Sequence, residues 1–280
     1  MTIEKNIIIK GKHNKPIVTD LFFKDNSIKK PVLIFCHGYK GFKDWGAWNL
    51  MAKAFANAGF YFIKFNFSHN GGTVKQPIDF PDLEAFGNNN YTKELDDLKS
   101  VIDWICSNPK LKKNANLNNI TLIGHSRAGG IVTIKAEEDN RIKTVISLAG
   151  VCDFGKRTST TGDLKQWGKD GVKYVLNGRT KQQMPHYYQF YENFIANENR
   201  LAIKRAVSNL RTPYLIIHGD DDTSVFIEEA EQLHEWNPDS QLEIIQGANH
   251  VFGAQHPWDK PTLPNNLKEV VTKVINFLGY

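Results

Sequence analysis

A serine flanked by small residues lies in the segment ITLIGHSRAGG at 120–130. Apolar residues run to Gly124 and a helical pattern begins near Arg127, which predicts that Ser126 occupies the sharp turn between a strand and a helix. Such a turn holds a serine hydroxyl clear of the sheet, and the residues two before and two after it must be small so that strand and helix can approach. The later position is Ala128, a departure from glycine by one methyl group. The pattern predicts a nucleophilic serine, whereas a phosphate-binding loop would need a lysine before the hydroxyl residue.

Two further residues could activate this serine, whose hydroxyl is a poor nucleophile without a general base. Among nine histidines, His250 in IIQGANHVFG follows the last predicted strand directly and lies in a loop. The strand at 213–218 runs into HGDDDTSV, where a carboxylate can orient an imidazole and stabilise its protonated form. The chain order serine, aspartate, histidine is one known arrangement of such a triad.

The elements that would position these residues alternate along the chain. Short apolar, β-branched segments alternate with longer helical patterns, which predicts a mostly parallel sheet flanked by helices. The predicted strands are 3–10 and 17–23, an antiparallel opening pair, and then 31–36, 60–65, 119–124, 143–149, 213–218 and 242–246. The predicted helices are 45–58, 91–107, 127–138, 225–236 and 264–278, with Thr92 as the cap of the second.

The segment 154–209 interrupts this alternation within what is otherwise one domain, 1–280. It shows no clear buried strand, mixes aromatic residues with charge, and is too long for an ordinary connection. We therefore expect a cap insertion with helices of its own over one end of the sheet. The cap has ten Lys or Arg against four Asp or Glu, which would suit an aromatic or carboxylate-bearing ester better than a peptide amine. A solvated charged face is the alternative interpretation.

Composition excludes several classes of function. The net charge of +5 is spread over the chain without a basic run, so nucleic-acid binding has little support. No apolar run approaches the roughly 20 residues of a membrane helix, and the N-terminus lacks the features of a signal peptide. Cys36, Cys106 and Cys152 are predicted to be free thiols. We expect a cytoplasmic protein without a metal site.

In these motifs and their order, the sequence resembles the α/β-hydrolase superfamily over essentially its whole length. The resemblance is closest to bacterial dienelactone-hydrolase-like and cinnamoyl-esterase-like members, through GHSRAGG and the aromatic cap. The family pattern HG-x-x-D-x-x-V implies that Asp222 is the acid and that Val225 opens the next helix. Asp220 and Asp221 are then turn or capping residues, and Asp153 is an alternative acid.

The resemblance also implies an oxyanion hole. His37 and Gly38 in FCHGYKGFKDWG follow a core strand, as similar loops do in the family. The backbone amides of Tyr39 and Arg127 would then bind the developing negative charge, and His37 would brace the loop. His69, in NFSHNGGT, is expected to be structural rather than catalytic.

These features together predict a serine hydrolase that cleaves small-molecule carboxylic esters through an acyl-enzyme, with Ser126, Asp222 and His250 as the triad and no cofactor. A serine aminopeptidase-like enzyme and a thioester hydrolase are alternatives. A protein of this fold that binds ligands without turning them over is a further alternative. Dehalogenase chemistry would need an aspartate in place of Ser126.

Overall fold

The computed structural model describes residues 1–26, 28–159 and 162–280. In chain order, the strands of these residues are β1 (Thr2–Lys10), β2 (Pro16–Phe23), β3 (Lys30–Cys36), β4 (Tyr61–Asn66), β5 (Ala115–His125), β6 (Ile142–Leu148), β7 (Val172–Leu176), β8 (Gln183–Tyr187), β9 (Tyr214–Gly219) and β10 (Gln241–Ile245). The α-helices are α1 (Trp48–Asn57), α2 (Leu83–Gly87), α3 (Tyr91–Ser107), α4 (Arg127–Glu138), α5 (Phe154–Ser159), α6 (Leu164–Asp170), α7 (Gln189–Ala196), α8 (Glu198–Leu201), α9 (Ile203–Asn209), α10 (Ile227–Trp236) and α11 (Asn265–Phe277). A short 3₁₀ turn, Leu111–Lys113, precedes β5.

Eight strands form one sheet in the order β1-β2-β4-β3-β5-β6-β9-β10. The strands β1 and β2 pair antiparallel, β2 also joins β4 antiparallel, and every later pairing is parallel. Helices cover both faces, so the inner strands are buried on both sides and consist of nearly continuous apolar residues, as in the fully buried β3. The predicted α/β class, with an antiparallel opening pair and a mostly parallel sheet, is confirmed.

Two apolar layers hold the sheet between its helices. Val32 and Ile34 of β3 point to the layer formed with α3, α4 and α10, while Leu33 and Phe35 point to the layer formed with α1 and α11. This alternation follows from the two-residue period of a strand. The central strands β3 and β5 are therefore fixed from both faces, and their carboxyl ends lie at one rim of the sheet.

Cys36, Cys106 and Cys152 are free thiols, as predicted.

Several predicted boundaries are wrong, each for a local reason. The expected helix at 225–236 begins at Ile227, because the Asp222 carboxylate accepts hydrogen bonds from the Ser224 and Val225 amides and keeps this segment in a turn. Thr92 does not cap α3. The cap is Asn90, whose side chain accepts from the Lys93 amide at 2.9 Å.

Two further boundaries differ from the prediction. The strand expected at 119–124 begins at Ala115, after the short 3₁₀ turn. The helix expected at 45–58 begins at Trp48, because a turn in which the Trp48 amide donates to the Trp45 carbonyl precedes it.

The segment 154–209, for which we keep the name cap, is not purely helical. It contains α5 to α9 together with the antiparallel hairpin of β7 and β8. The hairpin strands are largely half-buried or exposed, so they lack the buried apolar run by which a core strand is recognised.

No helix in the described part of the chain is both long and apolar enough to cross a membrane.

A buried group of four charges ties the loop after β3 to the antiparallel side of the sheet. Asp20 of β2 accepts hydrogen bonds from Lys64 of β4 and from Lys43 in that loop, both at 2.8 Å, and Lys43 also binds Asp44. Asp20 and the two lysine side chains are at most 1% exposed. Because a buried charge without its partner is costly, this group fixes the loop that carries Tyr39.

We predict that Asp20→Asn lowers the free energy of unfolding by about 3–5 kcal/mol, because it leaves two buried ammonium groups with one carboxylate fewer. The control is Asp103→Asn, which weakens two ion pairs, with Lys99 and Arg141, at a carboxylate that is 46% exposed, and we expect a loss below about 1 kcal/mol. Denaturant unfolding of both variants provides the comparison. Equal, small losses in the two variants would contradict a supporting role for the buried group.

Candidate active site

Ser126 lies on a strained turn between β5 and α4. Its backbone has φ 57° and ψ −123°, a region that non-glycine residues rarely adopt. A β-carbon at Gly124 would lie 2.1 Å from the Ala128 carbonyl oxygen, so only glycine lets strand and helix come this close. Gly129 allows a second close approach, because a β-carbon there would lie 2.7 Å from Cα of Gly150. In this chain, the position two residues after Ser126 is Ala128, and the close approach to Gly150 depends instead on Gly129, three residues after the serine.

The structure brings His250 and Asp222 together from two loops that follow strands. Nδ1 of His250 is 2.7 Å from Oδ2 of Asp222, and the other carboxylate oxygen accepts from the Ser224 and Val225 amides. Burial alone would raise the pKa of Asp222, but hydrogen bonds from His218 and His250 outweigh it and hold that pKa below its usual value. Asp222 is therefore ionised and fixes the His250 ring.

Asp220 and Asp221, which were predicted to be turn or capping residues, and Asp153, the alternative acid, lie elsewhere. The Asp220 carboxylate accepts from the Gly247 amide at 2.6 Å, and the Asp221 amide donates to the Ala248 carbonyl, so both belong to the turn after β9. Asp153 accepts from the amides of Gly155 and Lys156 at the start of α5. In the described part of the chain, the Asp153 side chain makes no hydrogen bond to His250.

Two buried histidines that the sequence analysis did not single out support this pair. Nε2 of His125 donates to the His250 carbonyl oxygen at 2.8 Å, and Nε2 of His218 lies 3.3 Å from Oδ2 of Asp222. Burial, with the nearby charge of His250, lowers the pKa of His125 to about 3, so its ring is a neutral donor. The sequence contained a signal for both histidines. His125 ends β5 directly before Ser126, and His218 is the second-last residue of β9, directly before the turn that contains Asp222.

Ser126 and His250 line one cavity of about 440 Å³. Within the described residues, the Ser126 hydroxyl makes no hydrogen bond to the His250 imidazole. Such bonds are often long before a substrate binds, so the shared cavity is the relevant geometry. The cap contributes most of the aromatic lining, which consists of Tyr39, Tyr91, Phe154, Trp167 and Phe190.

The loop after β3 passes directly against the serine. A β-carbon at Gly38 would lie 2.8 Å from Cβ of Ser126, so only a glycine backbone fits there. His37 braces the loop, because its Nδ1 donates to the Gly38 carbonyl at 2.9 Å and its Nε2 accepts from the Phe67 amide at 3.4 Å. Burial lowers the pKa of His37 to about 4, which keeps the ring neutral. His69 is also buried and shares a hydrogen bond with the Ser68 hydroxyl at 2.8 Å.

The side chains of Tyr39 and Arg127 contact each other and the cap. The guanidinium carbon of Arg127 is 4.4 Å from the centre of the Tyr39 ring, and the Tyr39 hydroxyl is 2.8 Å from Nε2 of His186 on β8. Arg127 also pairs with the buried Glu94 at 3.4 Å. The two residues whose amides were predicted to bind an oxyanion are therefore held together by their side chains.

Among the residues that the structure describes, no group of three His, Cys, Asp or Glu could hold a metal ion.

Comparisons with known proteins agree with this architecture. A sequence model of the prolyl oligopeptidase family matches residues 48–260. An uncharacterized 31.7 kDa protein from the traX-finO intergenic region of Escherichia coli is 30% identical over 155 residues, which are 55% of this chain and 48% of that protein. The match thus spans about half the length of that relative. A Mycoplasma genitalium protein whose name includes esterase/lipase 2 is 23% identical over 255 residues, 90% of this chain and 83% of that protein.

Among solved structures, Est1E from Butyrivibrio proteoclasticus has the same fold, with a TM-score of 0.71, 18% sequence identity and 98% of each chain covered. A second structure of Est1E contains ferulic acid and matches with a TM-score of 0.72, 18% identity and 97% of each chain covered. At this level of identity the similarity establishes the fold alone.

The lowered pKa of Asp222 predicts a pH-dependent contribution to stability. A carboxyl whose pKa falls on folding stabilises the protein above its unfolded pKa of about 4, and this contribution is lost as the pH falls. We expect the stability advantage of the wild type over Asp222→Asn to shrink steadily between about pH 5 and pH 2. Denaturant unfolding across this range measures it, with Asp221→Asn as the control at an exposed neighbour. An advantage independent of pH would contradict an ionised Asp222.

Proposed function

This chain belongs to the prolyl oligopeptidase family within the α/β-hydrolase superfamily, and from that membership we propose that it is a serine hydrolase that cleaves carboxylic esters. One observation carries the proposal. Ser126, on its strained turn, shares a cavity with His250, whose imidazole is 2.7 Å from the buried Asp222 carboxylate. A serine, a histidine and an ionised aspartate form the triad with which many serine hydrolases perform acyl transfer.

In the proposed first step, Oγ of Ser126 attacks the ester carbonyl carbon while Nε2 of His250 takes the hydroxyl proton. Nδ1–H of His250 donates to Asp222, which leaves Nε2 of the neutral ring as the acceptor and stabilises the imidazolium that forms. The tetrahedral intermediate then collapses, and His250 returns the proton to the departing alcohol. Water, deprotonated by His250, attacks the acyl-enzyme and releases the carboxylic acid.

The negative charge on the carbonyl oxygen needs donors at the same place. Ser126 precedes the first turn of α4, so the Arg127 amide is among those that lack a partner within the helix. The glycine backbone at Gly38 brings the loop, and with it the Tyr39 amide, to the serine. We assign the oxyanion hole to these two amides, each of which would contribute about 10²- to 10³-fold to the rate.

A peptidase is the second candidate, because the matching family is described as that of prolyl oligopeptidase. The cavity argues for esters. Among its described lining residues there is no Asp or Glu that could bind the amino terminus of a peptide. The esterase/lipase name of the Mycoplasma genitalium relative and the ferulic acid in Est1E also support an ester or a related acid as ligand.

Replacement of the nucleophile tests the proposed reaction. We expect Ser126→Ala to lower the turnover of 4-nitrophenyl butyrate on the order of 10⁶-fold and to abolish labelling by a fluorophosphonate probe. Circular dichroism should show an unchanged fold. Ser224→Ala, at a second serine of the same cavity, is the matched control and should label normally. Unchanged turnover in Ser126→Ala would overturn the assignment.

A second measurement separates the two candidate reactions. We expect kcat/KM for 4-nitrophenyl butyrate to exceed that for proline and alanine 4-nitroanilides, because the described lining offers no carboxylate to a substrate amine. Both activities should disappear together in Ser126→Ala if one site performs them. Faster cleavage of either arylamide than of the ester would establish the peptidase instead.

A further inference from the structure

One wall of the cavity, which we name the cationic wall, is built from Lys40, Arg127 and Lys173 around Tyr39 and His186. The Tyr39 ring centre lies 4.4 Å from the guanidinium carbon of Arg127 and 5.1 Å from Nζ of Lys40. The Tyr39 hydroxyl contacts His186, and Lys173 is the register partner of His186 in the hairpin of β7 and β8. All three cations line the cavity, and Nζ of Lys173 lies 3.5 Å from the centre of the Trp167 ring, which lines it as well.

The wall is partly buried, because Lys40 and Lys173 are each half-buried. The Arg127 side chain is 15% exposed, and burial lowers the pKa of Lys173 to about 8. Burial, together with the charge of Arg127, also lowers the pKa of Lys40. His186 has a pKa lowered to about 3 by burial and by the charges of all three cations, so it stays neutral between them. Charges in such a setting act more strongly on a ligand than they would in water.

Two carboxylates close to the cavity pair with arginines that line it. Glu94 pairs with Arg127, and Glu229 pairs with Arg157, whose guanidinium also donates to the Ser224 carbonyl. The Lys40 ammonium donates to a neutral acceptor, the Leu176 carbonyl, at 3.3 Å. The described lining contains four cationic side chains, against these two carboxylates and the ionised Asp222 behind His250, so the cavity keeps an excess of positive charge.

We propose that the cationic wall binds a free carboxylate carried by the substrate, so that the preferred substrates are esters with a second, unesterified acid group. This inference rests on the proposed esterase function and adds a substrate class to it. Arg127 directly follows Ser126, so a carboxylate on the wall lies within one small molecule of the reacting carbonyl. The planar guanidinium can bind a carboxylate with two parallel hydrogen bonds, and the two lysines add charge. Phe154 and Trp167 would pack against the remaining apolar part of the substrate.

Two matched pairs of esters test this preference. The first is the mono-4-nitrophenyl ester of terephthalic acid and its methyl ester, which differ only in the charge on the acyl part. The second is 4-carboxyphenyl butyrate and its methyl ester, which differ only in the charge on the alcohol part. We expect kcat/KM to favour the acid by about tenfold or more in at least one pair, and this advantage to fall as salt is added.

Charge-removing variants locate the effect. We expect Lys40→Met and Lys173→Met each to reduce the ratio of acid to methyl-ester kcat/KM by about 3- to 10-fold, the range for a partly solvated ion pair. Lys173→Arg should preserve the ratio. The control is Lys165→Met, at an exposed cap lysine outside the cavity lining. Fluorophosphonate labelling of every variant reports whether its site is still assembled.

The outcomes separate this inference from the function on which it rests. Equal or faster turnover of the methyl esters in both pairs, by an enzyme that Ser126→Ala inactivates, would overturn the carboxylate site and leave the esterase intact. An unchanged ratio in Lys40→Met and Lys173→Met that still label would overturn it as well. Failure of the proposed function would appear differently, as no turnover of any ester and no fluorophosphonate labelling.

Discussion

The close approach of β5 and α4 at Ser126 is the constraint on which the rest of the site depends. A backbone at φ 57° costs on the order of 1–3 kcal/mol for a non-glycine residue, so its surroundings must impose it. They do so from both sides. The Ser126 amide donates to the Leu148 carbonyl of the neighbouring strand at 2.9 Å. Gly124 lets α4 approach β5, and Gly129 lets α4 approach Gly150 after β6. Because β5 lies between β3 and β6 in the sheet, the loops that follow these two strands lie next to Ser126 at the rim.

The electrostatics of the rim follow from burial combined with selected hydrogen bonds. His37 and His125 are buried and kept neutral, and each donates a ring N–H to a backbone carbonyl, which fixes both its tautomer and its orientation. Asp222 is buried as well, but it receives enough hydrogen bonds to stay ionised. The result is a single carboxylate charge placed behind His250, with the neutral ring of His125 next to the ring of His250. In this environment a proton gained by His250 is stabilised by one well-defined partner.

Local patterns in the sequence predicted the sheet and the positions of Ser126, His250 and the aspartates at 220–222 at strand ends, because strand periodicity and turn residues are short-range signals. The choice of Asp222 among these aspartates came from the family resemblance. Features set by distant contacts were not predictable in this way. The hairpin of β7 and β8 has no buried apolar run, and its strands are recognised only through their mutual pairing. The bond from the Tyr39 hydroxyl to His186 joins residues 147 positions apart. Only the folded chain reveals it.

That long-range bond makes the cap and the loop after β3 parts of one unit. His186 contacts Tyr39 through its ring and accepts from the Trp167 indole through its backbone carbonyl, at 2.8 Å in both cases. Since burial raises the pKa of Tyr39 to about 12 and keeps His186 neutral, the hydroxyl donates and the ring nitrogen accepts. Any outward movement of the hairpin would break this bond and withdraw Lys173 from the cavity at the same time. The cationic wall and the loop that lies against Ser126 are therefore positioned together, by a contact that involves neither Ser126 nor His250.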